Sequence, residues 1–180
     1  MISVIIPHYP KTQELNDLLD KCRLSITGYD ELVLVVNEGI GFAKACNWGF
    51  KMAKGDYLVL VSNDVEFKKG NIKDLIDEHG VSSPILNGVK PPRGLWGCCF
   101  CIPRWVYEQI GGFDEQFEIG YFEDDDYALR VKLAGIPLIT KENVEIVSEG
   151  GKTMKEMDHA KAYGENKVKF LAKYPNAELY

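Results

Sequence analysis

Two groups of carboxylates stand out by their spacing. Asp64 and Glu66 follow an apolar run in GDYLVLVSNDVEF, residues 55–67, and Glu123, Asp124, Asp125 and Asp126 stand side by side before Tyr127. Carboxylate oxygens are hard ligands suited to Mg²⁺ or Mn²⁺, and an ion held this way grips a diphosphate. Four adjacent acids are only partly explained by helix capping, which satisfies one or two of them. Their mutual repulsion favours an elevated pKa or a facing cation. The plain alternative for the first group is a strand followed by an acidic turn, since Asn and Asp are common turn residues.

Position argues for the chemical reading. Residues 57–61 (YLVLV) form an unbroken apolar run of β-branched and aromatic types, which predicts a strand buried on both faces of a parallel sheet. Ser62, Asn63 and Asp64 then fall at its carboxyl end, where open α/β sheets place their ligands. Upstream, ISVIIP (2–7) predicts a strand closed by proline, leucines at 15, 18, 19 and 24 predict a helix over 14–24, and 32–36 is a second apolar strand. That order reads as a βαβ unit with a parallel crossover. Phe42, Ala45, Cys46, Gly49 and Ala53 recur at helical spacing, with Gly55 as the stop. Gly39-Ile40-Gly41 lacks the third glycine of a dinucleotide fingerprint and is equally ordinary turn chemistry.

Further along, the pattern predicts a short helix over 68–79, a loop-rich stretch over 81–93 holding at most one short strand, a strand over 95–102 and a helix over 103–110. The acidic cluster opens a helix over 127–134, after a glycine- and aromatic-rich lead-in (GGFDEQFEIGYF) read as a mobile loop. Strand-like segments at 136–139 and 144–147 precede a glycine turn and a helix of about 155–173, which carries His159.

The chain's 180 residues fit one domain, 1–180, and its 46% hydrophobic and 27% charged residues read as an ordinary globular protein. A formal net charge of -6 and a pI near 5.2 argue against nonspecific nucleic-acid binding. No charged leader and no bilayer-length apolar run are present, so the expectation is a cytoplasmic protein without a transmembrane segment. The five cysteines include Cys98, Cys99 and Cys101 within an apolar run, and no CxxC occurs. They read as reduced, buried strand residues and not as a zinc site or disulfides.

Taken in order, SVIIPHYP (3–10), GFAKACNWGFKMAKGDYLVLVSNDV (41–65), IGGFDEQFEIGYFEDDDYALRVKLAG (110–135) and NKVKFLAKYP (166–175) resemble the family-2 type of inverting GT-A glycosyltransferases, the rhamnosyltransferase-like enzymes. The resemblance implies an α/β GT-A (Rossmann-like) fold with a central, mostly parallel sheet flanked by helices. It also implies metal-dependent transfer of a sugar from a nucleoside diphosphate sugar to the hydroxyl of a glycan or other acceptor, with inversion. Pro7, His8 and Tyr9 would lie against the base, with Asn37 and Glu38 at the end of the second strand. Gly41, Lys44 and Asn47 on the following helix, and Asn63 near the ribose, complete the implied donor site. Asp64 would be the metal ligand, helped by Glu66. Asp124 would be the catalytic base, with Glu123 beside it and Arg130 behind.

The chain departs from the family pattern in three places. Asn37 is followed almost at once by Gly39-Ile40-Gly41, where the family has a serine- and aspartate-rich loop and a further strand. Ser62 and Asn63 stand at positions often acidic. Ser148-Glu149-Gly150-Gly151 stands where a histidine is frequent, so Glu149 or His159 is the expected replacement ligand. The alternatives are a silent nucleotide- or glycan-binding protein of the same fold and a nucleotidyltransferase; against the latter, HYPKTQ after the first strand is not a lysine-bearing glycine loop.

Overall fold

The computed structural model describes residues 1–150 and 159–176. In chain order its strands are β1 (Ile2–His8), β2 (Glu31–Val36), β3 (Tyr57–Val61), β4 (Val65–Lys69), β5 (Val81–Leu86), β6 (Cys99–Pro103) and β7 (Leu138–Ser148). Its helices are α1 (Gln13–Ser25), α2 (Phe42–Met52), α3 (Arg104–Ile110), α4 (Glu123–Leu133) and α5 (His159–Lys173). All seven strands join one sheet in the order β2-β1-β3-β6-β5-β7-β4. β1 pairs in parallel with both β2 and β3, and β5 with β7, while β6 and β4 run against their neighbours. Five of these seven strands, β1, β2, β3, β5 and β7, thus run in one direction, and the sheet is mostly parallel.

The period-2 alternation of β3 explains its central place. Leu58 and Leu60 join a core with Phe50 of α2 and Tyr127 and Val131 of α4. Val59 and Val61 join a second core, on the other face, with Leu19 and Cys22 of α1. Both faces of β3 are covered, as its unbroken apolar run predicts. β6 alternates likewise: Phe100 and Ile102 face the first core, Cys99 and Cys101 the second.

Several elements differ from their sequence-based expectations. Residues 68–79 are not a helix: β4 continues to Lys69, Gly70 turns the chain at φ 73°, and only a 3₁₀ turn, Ile72–Leu75, follows. A capping box between Asn71 and Asp74 satisfies the start of that turn locally, and the chain then leaves it. The two segments at 136–139 and 144–147 merge into one strand, because β7 pairs with β5 from Leu138 to Ile146 across a register shift, and its second half also pairs with β4. α4 begins at Glu123, so the four acids form its first turn and do not precede it.

Candidate functional site

β1 and β3 end side by side, and the chain leaving them turns into a cavity of about 580 Å³. It is lined by Pro7 and Tyr9 after β1, by Ser62, Asn63 and Asp64 after β3, by Glu123 and Asp124 of α4, and by Ser148, Glu149 and Gly150 at the end of β7. The two carboxylate groups, about sixty residues apart in sequence, thus face one space. Among the described residues, no Lys or Arg lines it.

Asp64 is held from the sheet. The Ser148 hydroxyl donates to its Oδ2 at 2.7 Å and accepts the Gly150 N–H at 3.0 Å, fixing the carboxylate against the end of β7. Asn63 is buried and belongs to a relay. Its Nδ2 lies 3.0 Å from His8 Nδ1, and His8 Nε2 lies 2.9 Å from Asn16 Oδ1. The relay is satisfied throughout with the imidazole proton on Nε2, donating to Asn16. Asn37 uses its Oδ1 to accept the Gly39 and Ile40 N–H groups at 3.1 and 3.0 Å, which closes the short turn after β2.

The acidic turn divides by function. Asp126 is fully buried and bound by Arg130 Nε at 2.7 Å, Lys173 Nζ at 2.6 Å and the Tyr174 hydroxyl at 2.9 Å, so it ties α4 to α5. Asp125 pairs with Arg93. Glu123 is buried, and its Oε2 has no hydrogen-bond partner among the described residues. Burial first, then Asp124 and Asp125, pushes its carboxyl well above the usual range. Asp124 is pushed up to about 6, by burial and then by Asp125, while the Asp125 N–H and Arg93 pull the other way. Each of the two carboxyls therefore holds its proton more tightly than a free carboxyl does.

A divalent cation of the hard type takes one or two protein carboxylates and completes its shell with phosphate oxygens and water. Asp64 and Glu149, which both line the cavity, are the residues that would supply such carboxylates. Among the described residues no cluster of three or more His, Cys, Asp or Glu side chains is gathered that could hold a metal by itself.

The sequence profile of glycosyl transferase family 2 matches residues 30–86, the stretch that builds α2, β3 and the Asp64 turn. Among solved structures, a mannosyltransferase from Pyrobaculum calidifontis in complex with GDP-Man and Mn²⁺ superposes with a TM-score of 0.69 at 19% identity, over 99% of this chain and 65% of that one. A Drosophila β1,4-galactosyltransferase 7 variant holding manganese, UDP-Gal and xylobiose gives 0.67 at 14%, over 93% and 78%. TarS of S. aureus, residues 1–349, gives 0.61 at 16%, over 99% and 66%. This is a GT-A fold. The chain spans about two thirds of the length of most of these neighbours. No curated protein sequence matches it.

On the GT-A sheet, Pro7, Tyr9, Asn37, Asn63, Asp64, Glu123, Asp124 and Glu149 come together around the cavity. Others stand apart. His8 points to the opposite side of β1 from Pro7 and Tyr9, towards Asn16 of α1, and supports Asn63 instead of lining the cavity. Glu66 alternates with the buried Val65 and Phe67, pairs with Lys68 at 2.5 Å and does not line the cavity. Asn47 is buried behind the site, where its amide brackets Phe113, donating to the carbonyl at 2.9 Å and accepting the N–H at 2.8 Å. Gly41 is a backbone contact: at φ 93° it caps α2 against Ile119, and a Cβ there would stand 3.3 Å from the Ile119 nitrogen. Glu38 and Lys44 do not line the cavity. The side chain of His159 lies outside the described residues.

Sequence reasoning passed over Trp96, Gly97 and Cys98, all cavity residues, because they sit in what reads as one strand. Regular pairing starts only at Cys99, and the three residues before it form a turn closed by a Trp96–Cys99 bridge. Gly97 allows Asp124 to pack close, since a Cβ there would stand 2.5 Å from Asp124 Oδ2. The glycine was the available signal. The five cysteines are free thiols, and Cys98 is the partly exposed one, pushed up to about 12 by burial and then by Asp64 and Asp124.

Proposed function

We propose that this chain is a metal-dependent, inverting glycosyltransferase that moves a sugar from a nucleoside diphosphate sugar to an acceptor hydroxyl. The observation that carries the reading is the acidic cavity: Asp64, Glu123, Asp124 and Glu149 all line it, with no lining Lys or Arg among the described residues. A diphosphate brought into so acidic a space needs a countercharge. Asp64, oriented by Ser148, with Glu149, would hold the divalent cation, which when bound offsets the charge on the departing diphosphate. The neighbours that hold Mn²⁺ with UDP-Gal or GDP-Man support the same assignment.

Pro7, Tyr9 and Asn37, which line the cavity, would lie against the base. Asp124 takes the proton of the acceptor hydroxyl while that oxygen attacks the anomeric carbon. The bond to the diphosphate oxygen breaks with its electron pair leaving on the diphosphate, so attack and departure lie on opposite faces and configuration inverts. Burial of Glu123 next to Asp124 favours a proton on Glu123 while Asp124 is ionised, making Glu123 a hydrogen-bond donor to the substrate.

The test is donor turnover with Mn²⁺. Release of nucleoside diphosphate, by transfer to glycan acceptors or by slow hydrolysis of the donor, is the expected result. Binding of the donor with no turnover across an acceptor panel would instead mark a silent binding protein of this fold.

A further inference from the structure

The loop that launches the acidic helix has a backbone that side chains disfavour. Ile119, Tyr121 and Phe122 sit at φ 67°, 72° and 71°. For a β-branched residue such as Ile119 this is an outlier, and such conformations persist only where the surroundings impose them. Phe122 is the residue before Glu123 and the N-cap of α4, so these torsions set the direction in which Glu123 and Asp124 meet the cavity.

The imposing group comes from α5. Asn166 is 1% exposed, and its Nδ2 donates to the carbonyls of Glu118, Gly120 and Tyr121 at 2.9, 2.7 and 3.3 Å. Those carbonyls bracket Ile119 and reach Tyr121. Lys169 Nζ adds a bond to the Gln116 carbonyl at 2.7 Å and approaches Asn166 Oδ1 at 3.4 Å. Phe122 packs on Phe170 of the same helix, ring centroids 5.4 Å apart. On the cavity side, the Ile119 carbonyl accepts the Phe42 N–H at 3.2 Å, so the loop is fixed from two directions.

We infer that Asn166 is a positioning residue for the Glu123–Asp124 pair: from outside the cavity it holds the left-handed loop that aims both carboxylates, and it sets turnover without touching substrate. For the reaction this rests on the glycosyltransferase reading above; for the loop it rests on the geometry alone. Asn166→Ala removes the donor. Asn166→Asp keeps the size and sets a carboxylate against the same carbonyls.

Three measurements on the full chain test this: donor turnover, binding of nucleoside diphosphate with Mn²⁺, and amide hydrogen exchange of peptides covering residues 116–127. Both variants should lose turnover by about a hundredfold, the scale of a small misplacement of reacting groups, with diphosphate affinity within about twofold of the parent. Exchange over 116–127 should quicken by about tenfold or more, while strands β1 and β3 stay protected. Adding Ile119→Gly to Asn166→Ala should restore part of the turnover, because glycine takes a positive φ without steric cost. A general loss of α5 packing would not be rescued that way. If Asn166→Ala does not fold, Asn166→Gln, which returns the amide on a longer arm, carries the comparison. Unchanged turnover with unchanged exchange overturns the inference, as does a turnover loss that tracks loss of diphosphate binding. Should the parent show no turnover, the enzymatic reading fails, and exchange over 116–127 still decides whether Asn166 holds the loop.

Discussion

Asp124 stands between burial, which favours its protonated form, and the task of a base, which requires its ionised form. With its carboxyl pushed up to about 6, turnover per encounter should rise with pH towards that value and level above it. Asp124→Asn should lower turnover by about two to four powers of ten, abolish that acidic limb and leave diphosphate affinity nearly unchanged, as steady-state kinetics across pH would report. If Asp124→Asn retains near-parental transfer, the base is misassigned. For stability the sign is the reverse of the catalytic one. A carboxyl whose folded pKa is raised binds its proton more tightly in the native state, so its contribution falls as pH rises from about 4 to about 6 and the penalty is complete above that. At this scale the sequence was legible wherever a polar residue interrupted an apolar pattern, which is how Asp64 and the acidic run appear. Side-chain direction was less so. His8 falls between Pro7 and Tyr9 on the same strand end, yet the period of two turns it to the back, where it orients Asn63.

Between elements, the strands with continuous apolar runs were readable because burial on both faces leaves no alternation to mistake. The segment 68–79 was not, because its apolar residues at 72, 75 and 76 mimic a helical period while Gly70 and the Asn71 cap break the chain into a strand and a 3₁₀ turn. Asn47 shows the same ambiguity at a packing contact. On α2 it marks a position that family resemblance assigns to the donor, whereas its carboxamide joins α2 to the loop after α3 by bracketing Phe113 and reaching Glu115 Oε1 at 2.9 Å. Asn47→Leu should therefore destabilise the fold by about 2 kcal/mol, a shift of about 4–8 °C in Tm, because the Phe113 backbone groups lose their partner in a buried place. Thermal unfolding would show it, and diphosphate affinity measured well below Tm should be unaffected. An unchanged Tm with weakened diphosphate binding would return Asn47 to the donor site. The lead-in of residues 111–122, which reads as mobile by its glycines and aromatics, is instead pinned by Asn47 at one end and by Asn166, Lys169 and Lys173 of α5 further on.

Across the whole molecule, the sheet gathers its chemistry at one place because β1 and β3 end together and the return strand β6 and helix α4 bring Gly97 and Asp124 to the same end. That convergence is topological. No local pattern in the chain states that residue 64 and residue 124 share a space, and only the ordered likeness of several motifs to a known family anticipated it. The result is a cavity rich in carboxylates and lined, among the described residues, by no basic side chain. Its affinity for a diphosphate should accordingly be conditional on a divalent cation. Calorimetric titration of nucleoside diphosphates into the parent and into Asp64→Ala, each with Mn²⁺ and with a chelator, measures this directly. The expected result is binding by the parent only with Mn²⁺, loss of that binding in Asp64→Ala, and a Tm for Asp64→Ala close to that of the parent, since a strand-end carboxylate contributes little to the core. Equal binding of diphosphate by the parent with and without the metal, or undiminished Mn²⁺-dependent binding by Asp64→Ala, would contradict it.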